Sequence, residues 1–262
     1  MTLKGNPFDL SGRVAVVTGG NGGLGLAMAE AMAGLGCAVA IWGRNAEKNG
    51  AALSRLEKNG SPVAAIECDV AKADQIETAF SQTMEQFGRV DGMFANAGLS
   101  GSVKSFLDRT PKEWADLMAV NLDGVIRCFQ VAGRHMVEHA KQGDPYGRLV
   151  ATSSVAALDG AAFNEHYGTS KGAVNALVRA IAVEVARHGI TANAILPGYA
   201  VTEMTEGLMA NDKFVNNVLP RIPMRRFGQA SDYAGIASYL MSDLSSYHTG
   251  QSFVIDGGYS IY

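Results

Sequence analysis

Cysteine is scarce in this sequence of 262 residues: Cys37, Cys68 and Cys128 are three, an odd number, and lie far apart. A disulfide framework is therefore excluded, and reduced thiols buried as small hydrophobes are expected, as in a cytoplasmic protein. Positive charge is lacking too. The formal net charge is -3 and no Lys/Arg run occurs, so neither nucleic acid nor an anionic membrane surface has electrostatic support. No long apolar run follows Lys4 in the N-terminal MTLKGNPFDLSG, which predicts no secretory leader and leaves Asn59-Gly60-Ser61 a chance sequon. Leu24 to Trp42 is apolar enough to suggest a membrane span, but Glu30 lies inside it and Gly34 and Gly36 break it. A buried helix followed by a buried strand accounts for it. Internal repeats, low-complexity tracts and interdomain linkers are absent as well. With 47% hydrophobic and 18% charged residues, the composition predicts one globular domain over residues 1–262.

What is present is an alternation of two periods. Short β-rich apolar runs cover Val14 to Thr18, Ala38 to Trp42, Val63 to Cys68, Val90 to Ala95, Leu149 to Ser153, Thr191 to Leu196 and Ser252 to Ile255. Helical periodicity covers Leu24 to Leu35, Ala46 to Lys58, Ala73 to Phe87, Pro111 to Asp116 running on to His139, Glu165 to His188, and Ser231 to Met241. Seven continuously apolar strands alternating with helices predict an α/β fold: a Rossmann-like, doubly wound sheet of seven parallel strands with helices on both faces. The stretch from Gly198 to Gly228 is too long for an ordinary connection. It reads either as a substrate loop or as a helical excursion packed on the surface.

After the first run comes Thr18-Gly19-Gly20-Asn21-Gly22-Gly23-Leu24-Gly25, leading into good helix formers. Glycines let backbone approach a pyrophosphate, whose charge sits on the free N–H groups of the helix start. Gly20, Gly22 and Gly25 also satisfy G-x-G-x-x-G, and the strand before and helix after give that pattern its context. About 20 residues further on, an acid would accept the ribose hydroxyls of NAD. Here the chain reads Trp42-Gly43-Arg44-Asn45, with no carboxylate. A guanidinium suits a 2′-phosphate, so NADP is the expected cofactor and NAD the alternative, with Arg44 then a solvated charge.

Tyr167 and Lys171 stand at i and i+4 of an expected helix and so share a face. At roughly 5 Å and an effective dielectric of about 20, an ammonium attracts a phenolate by about 3 kcal/mol, which corresponds to about two pKa units. That would bring the phenol within reach of proton transfer at neutral pH.

With Thr18 to Gly25, Asn96-Ala97-Gly98, Asn121, Ser154, Tyr167, Lys171 and Pro197-Gly198 in this order, the chain resembles the short-chain dehydrogenase/reductases over essentially its whole length. The resemblance implies an oxidoreductase moving a hydride between a nicotinamide cofactor and a small alcohol or carbonyl compound. It implies Tyr167 as the acid/base and Lys171 as the residue that holds the nicotinamide ribose and lowers the tyrosine pKa. Ser154, thirteen residues before the tyrosine, would polarise the substrate oxygen, and Asn121 would support a proton relay through water. Cofactor contacts are implied at Gly19, Asn21, Gly23, Leu24, Gly25, Arg44, Asn45, Asp69, Val70, Asn96, Ala97, Gly98, Tyr167, Lys171, Gly198, Ala200 and Thr202. Asp69 and Val70 would border the adenine; Gly198, Ala200 and Thr202 would touch the nicotinamide end. Two departures stand out. Ala95 replaces a frequent Asn, and Gly22 stands where many NADP-dependent members carry a basic residue, which leaves the cofactor preference on Arg44.

The resemblance includes 3-oxoacyl-thioester reductases and other carbonyl reductases, with sugar-acid or polyol dehydrogenases as the alternative. A dinucleotide-binding sensor without turnover is an alternative of another class. A homotetramer pairing the helices after Asn121 and around Tyr167 is also implied. His135-Met136-Val137-Glu138-His139 matches a zinc-protease pattern by accident, and no metal is expected. His166 is expected at the solvent or facing the substrate entrance; Met204 and Met209 either line an apolar pocket or pack.

Overall fold

The computed structural model describes residues 6–101 and 103–262; Lys4 and the first residues of the N-terminal segment lie outside them. In chain order the elements are β1 (Val14–Thr18), α1 (Gly23–Ala33), β2 (Ala38–Gly43), α2 (Ala46–Leu56), β3 (Val63–Glu67), α3 (Ala73–Phe87), β4 (Gly92–Ala95), α4 (Pro111–Met118), α5 (Gly124–Lys141), β5 (Gly147–Thr152), α6 (Glu165–Val185), β6 (Ile190–Pro197), α7 (Glu206–Met209), α8 (Asp212–Val218), α9 (Ala234–Met241) and β7 (Ser252–Ile255).

All seven strands pair in parallel, in the order β3-β2-β1-β4-β5-β6-β7. Successive side chains of a strand point to opposite faces, and the core divides accordingly. Val16, Ala40 and Trp42 pack with Ile76 of α3, Phe129 of α5 and Val174 of α6. Ala15, Val17, Val39 and Ile41 pack on the other side with Met28 of α1, Leu56 of α2 and Leu240 of α9. Three helices on each face bury the central strands completely, as their uninterrupted apolar runs imply. At the edges the expectation of burial on both sides fails: β3 and β7 alternate between covered and open positions, and Val254 is 41% exposed. An edge strand has a neighbour on one side only, so apolar composition cannot guarantee cover.

The helix expected to run from Pro111 to His139 is divided by one π-helical turn, Ala119–Asp123. There Asn121 turns its amide away from the helix to the backbone of Leu99, and Gly124 passes so close to Val70 that a Cβ would lie 3.0 Å from its Cγ2. The long segment after β6 carries α7 and α8. It is pinned by a small satellite core of Val218, Ile222 and Tyr259 with Tyr199, Phe214 and Phe227. Because β1 lies between β2 and β4, the chain reverses its direction of growth there, and the loops leaving β1 and β4 diverge at their C-terminal ends to open a crevice.

Candidate active site

The glycine-rich turn after β1 is built from two kinds of glycine. Gly19 and Gly23 hold φ values of +63° and +50°, left-handed conformations that favour glycine. Gly20 and Gly25 are required for space instead. A Cβ on Gly20 would lie 2.6 Å from Ile41 Cγ2, and one on Gly25 would lie 2.4 Å from Asn96 Nδ2 and 2.5 Å from the Gly19 carbonyl oxygen. Gly22 meets nothing within 4 Å, so the space there stays open in front of α1.

Three strand ends are tied together beside this turn. Thr18 Oγ1 accepts from the backbone N–H groups of Asn96 and Ala97, both at 3.0 Å, and Asn96 Nδ2 donates to the Thr18 carbonyl at 3.1 Å. Thr152 Oγ1 in turn donates to Asn96 Oδ1 at 3.1 Å. The Thr152 carbonyl accepts from Lys171 Nζ at 2.7 Å, while Ser153 Oγ donates to the Lys171 carbonyl. This network links the ends of β1, β4 and β5 to α6.

Tyr167 and Lys171 share a face of α6, with Lys171 Nζ 5.6 Å from the Tyr167 ring centroid. Lys171 is 3% exposed, and its ammonium, with three donors, has one acceptor among the described residues. Burial pulls Lys171 down to about 8. Burial likewise raises Tyr167 above its ordinary range, opposed by the hydroxyl of Ser154 beside it. The phenol is thus not lowered by its lysine in the unliganded chain: desolvation is the leading influence on both groups. Asn121 is fully buried. Its Oδ1 accepts from Leu99 N–H at 2.8 Å, and its Nδ2 donates to the Leu99 carbonyl at 2.9 Å and to Ser170 Oγ at 3.2 Å.

Ser154, Tyr167 and Lys171 face a cleft of about 720 Å³, within the usual size of a cofactor site. Of the residues expected to bind or act, all but Gly25 and Asn121 line it. Gly25 stands behind the turn against Asn96, and Asn121 stands behind Leu99. Arg44 and Lys171 are separated by the strands β2 to β5, three strand spacings or about 14 Å, a span suited to a dinucleotide. The fit is supported by the cradle around Gly98, where a Cβ would lie 3.4 Å from Asn121 Oδ1 and 3.5 Å from Lys171 Nζ, and by the spare donors of the buried ammonium. Sequence reading missed Thr152, Lys48 and Glu203, which also line the cleft. The basic Lys48, four residues after Arg44, was the one available signal.

A family model described as enoyl-(acyl carrier protein) reductase matches residues 19–260. A gluconate 5-dehydrogenase of Gluconobacter oxydans is 34% identical over 97% of both chains. The chain belongs to the short-chain dehydrogenase/reductase family. Among other members, a 3-oxoacyl-[acyl-carrier-protein] reductase of Synechocystis is 32% identical, over 95% of this chain and 97% of its own. A gluconate 5-dehydrogenase from Burkholderia cenocepacia, solved with NADP and tartrate, superposes with a TM-score of 0.91 at 32% identity, covering 98% of each chain. As a short-chain dehydrogenase/reductase, the protein is an NAD(P)-dependent oxidoreductase acting at an alcohol or carbonyl carbon.

Some expectations need correction. His166 is neither exposed nor at the entrance: it is 2% exposed, 3.0 Å from Arg109 Nη1, edge-on to Trp114, and so near Gly101 that a Cβ there would lie 2.5 Å from its ring. Burial and the Arg109 charge lower its pKa, and the ring joins the loop after β4 to the start of α6. In the zinc-protease pattern, His135 Nε2 accepts the Val90 N–H at 3.1 Å, and among the described residues no three His, Cys, Asp or Glu side chains gather for a metal. Met204 lines the cleft; Met209 does not. All three cysteines are buried, with Cys68 pushed up to about 12 by desolvation, which leaves them unreactive. No helix among the described residues is long and apolar enough to cross a membrane.

Proposed function

We propose that this chain is an NADP(H)-dependent reductase of a small, largely apolar ketone, running in reverse as an alcohol dehydrogenase, with Tyr167 as its proton donor and acceptor. The supporting observation is the placement of Tyr167 and buried Lys171 on one face of α6 in the wall of the cleft, beside Ser154. When bound, the nicotinamide supplies the hydride to the carbonyl carbon or takes it from the alcohol. Tyr167 gives its phenolic proton to the carbonyl oxygen in reduction and recovers one from the hydroxyl in oxidation. Ser154 donates to the same oxygen and orients it. Lys171 holds the nicotinamide ribose and stabilises the phenolate left on Tyr167, a role for which its protonation below about pH 8 equips it. Asn121 acts as a positioning residue: its amide is spent on Leu99 and Ser170, so it serves the proton relay through the shape it gives the π-helical turn. The presence of both Tyr167 and Lys171 disfavours a sensor without turnover.

Gly19, Asn21, Gly23 and Leu24 cradle the pyrophosphate, Gly25 shapes their turn from behind, Asp69 and Val70 border the adenine, and Asn96, Ala97 and Gly98 floor the cleft. Gly198, Ala200 and Thr202 touch the nicotinamide end. Arg44 and Asn45 meet the adenosine ribose, and the end of β2 carries no carboxylate to accept a bare 2′-hydroxyl. NADPH is therefore expected to support turnover at least about tenfold better than NADH in kcat/KM, the worth of one well-made charge-assisted contact. A direct kinetic comparison checks this, and equal or better turnover with NADH overturns it.

The loops that follow β4, β5 and β6 expose Val103, Phe106, Leu107, Leu158, Phe163 and Met204, and Met204 lines the cleft. Apolar side chains exposed on the loops that leave the C-terminal ends of these strands favour an apolar substrate body over a sugar acid, and segment 198–228 is the substrate loop in this reading. A panel of β-ketoesters, cyclic ketones and sugar acids with both cofactors tests it; preference for the sugar acid reverses the order. We also place the enzyme in the cytoplasm as a homotetramer pairing α5 and α6, a reading supported by Val183, 84% exposed on α6. Light scattering is expected to give four times 27.5 kDa, and a monomer peak refutes the assembly.

A further inference from the structure

Lys48 Nζ donates to Glu203 Oε2 across the cleft, joining residues 155 positions apart in the sequence. Both line the cavity, Lys48 from the first turn of α2 and Glu203 from the segment after β6. A carboxylate is out of place in a cleft that takes a polyanion, and its position is held firmly. Thr202 N–H donates to Thr205 Oγ1 at 3.0 Å, and Thr205 Oγ1 donates to the Ala200 carbonyl at 2.6 Å, so Glu203 sits on a closed turn. Lys48 is likewise fixed at its backbone, which donates to Asn45 Oδ1 at the helix cap.

We propose that Lys48 is a second cation for the 2′-phosphate beside Arg44, and that Glu203 occupies it across the cleft until that phosphate displaces the carboxylate. This rests on the NADP reading above and names residues beyond it. The exchange is physically cheap. Lys48 and Glu203 side chains are 49% and 72% exposed, and ion pairs so open to solvent are weak. A 2′-phosphate brings nearly two negative charges and three acceptor oxygens against the single charge of the carboxylate, and it arrives where Arg44 and the positive end of α2 already favour an anion. With NADH nothing competes for Lys48, so the ion pair stays closed.

The test is binding, followed by calorimetry with NADPH, NADH and 2′,5′-adenosine diphosphate for the wild type, Lys48→Met, Lys48→Arg and Glu203→Gln. Lys48→Met is expected to weaken NADPH and 2′,5′-adenosine diphosphate about tenfold with NADH within about twofold, and Lys48→Arg to restore most of the loss. Glu203→Gln is expected to tighten the two 2′-phosphorylated ligands about threefold or more and leave NADH unchanged. If Glu203→Gln tightens NADPH and NADH alike, the carboxylate opposes the pyrophosphate in general and the proposal fails. It fails equally if Lys48→Met leaves the ratio of NADPH to NADH affinity where it was. Either failure with a wild type that still prefers NADPH leaves the cofactor reading standing, whereas a wild type that prefers NADH sinks that reading itself.

Discussion

Tyr167→Phe is expected to lower kcat for ketone reduction by about 10²- to 10⁴-fold while NADPH binds within about twofold of the wild type. The substitution keeps the ring that Lys171 faces at 5.6 Å and removes the O–H to which the proposed mechanism assigns proton transfer to the substrate oxygen. Ser154 remains to hold that oxygen but is far too weak an acid to replace a phenol. The loss belongs to the chemical step, so KM for NADPH is expected to stay close to its wild-type value. Steady-state kinetics paired with fluorescence titration of NADPH separates the two quantities. Unchanged turnover would remove Tyr167 from the reaction, even with binding intact.

Lys171→Met is expected to cost activity by about 10²-fold or more and at the same time to stabilise the unliganded protein. Burial pulls Lys171 down to about 8 in the folded chain against 10.5 for an ordinary lysine. The unfolded chain therefore holds this proton more tightly than the folded one. The penalty for burying the ammonium is fully present below about pH 8 and fades as pH rises from there to about 10.5. At 1.36 kcal/mol per unit it is about 3 kcal/mol. The Thr152 carbonyl loses its partner in the variant, but it lines the cleft, where water reaches it. A net gain of about 1–3 kcal/mol at pH 7 is the expected balance, a rise of several degrees in midpoint for a chain of this size. Thermal unfolding at pH 7 and pH 10 checks the sign: the gain should shrink at the higher pH. A variant less stable than the wild type at pH 7 would show that the ammonium is not penalised by its surroundings.

Much of this was legible in the residues because both messages are local. β1 is four apolar residues and a threonine followed by a glycine turn, and Tyr167 with Lys171 are one helical turn apart, so period and spacing place them. Edge exposure at β3 and β7 was not legible, since strand composition does not say which strand ends the sheet. The π-helical turn at Ala119–Asp123 was hidden for a related reason. Its residues continue a helical pattern with no proline or glycine before Gly124, and the cause lies in Leu99, twenty-two residues back. His166 was misplaced because its cover comes from Gly101 and Arg109 in the segment after β4 and from Trp114 of α4. The electrostatics of Tyr167 and Lys171 were misjudged by considering the pair alone, when the surrounding protein sets the cost of holding either charge.

The wide turn between α4 and α5 changes the phase of a helix that otherwise runs on without a loop. One extra residue in a turn rotates everything beyond it by about 100° relative to regular winding. The stretch before it packs on α6, and the stretch after it packs on β4, β5 and α3. One uninterrupted run of helix thereby packs on the helix bearing Tyr167 from its first stretch and on the sheet from its second. Its angular offset acts as a gear between the reacting end of the molecule and its frame.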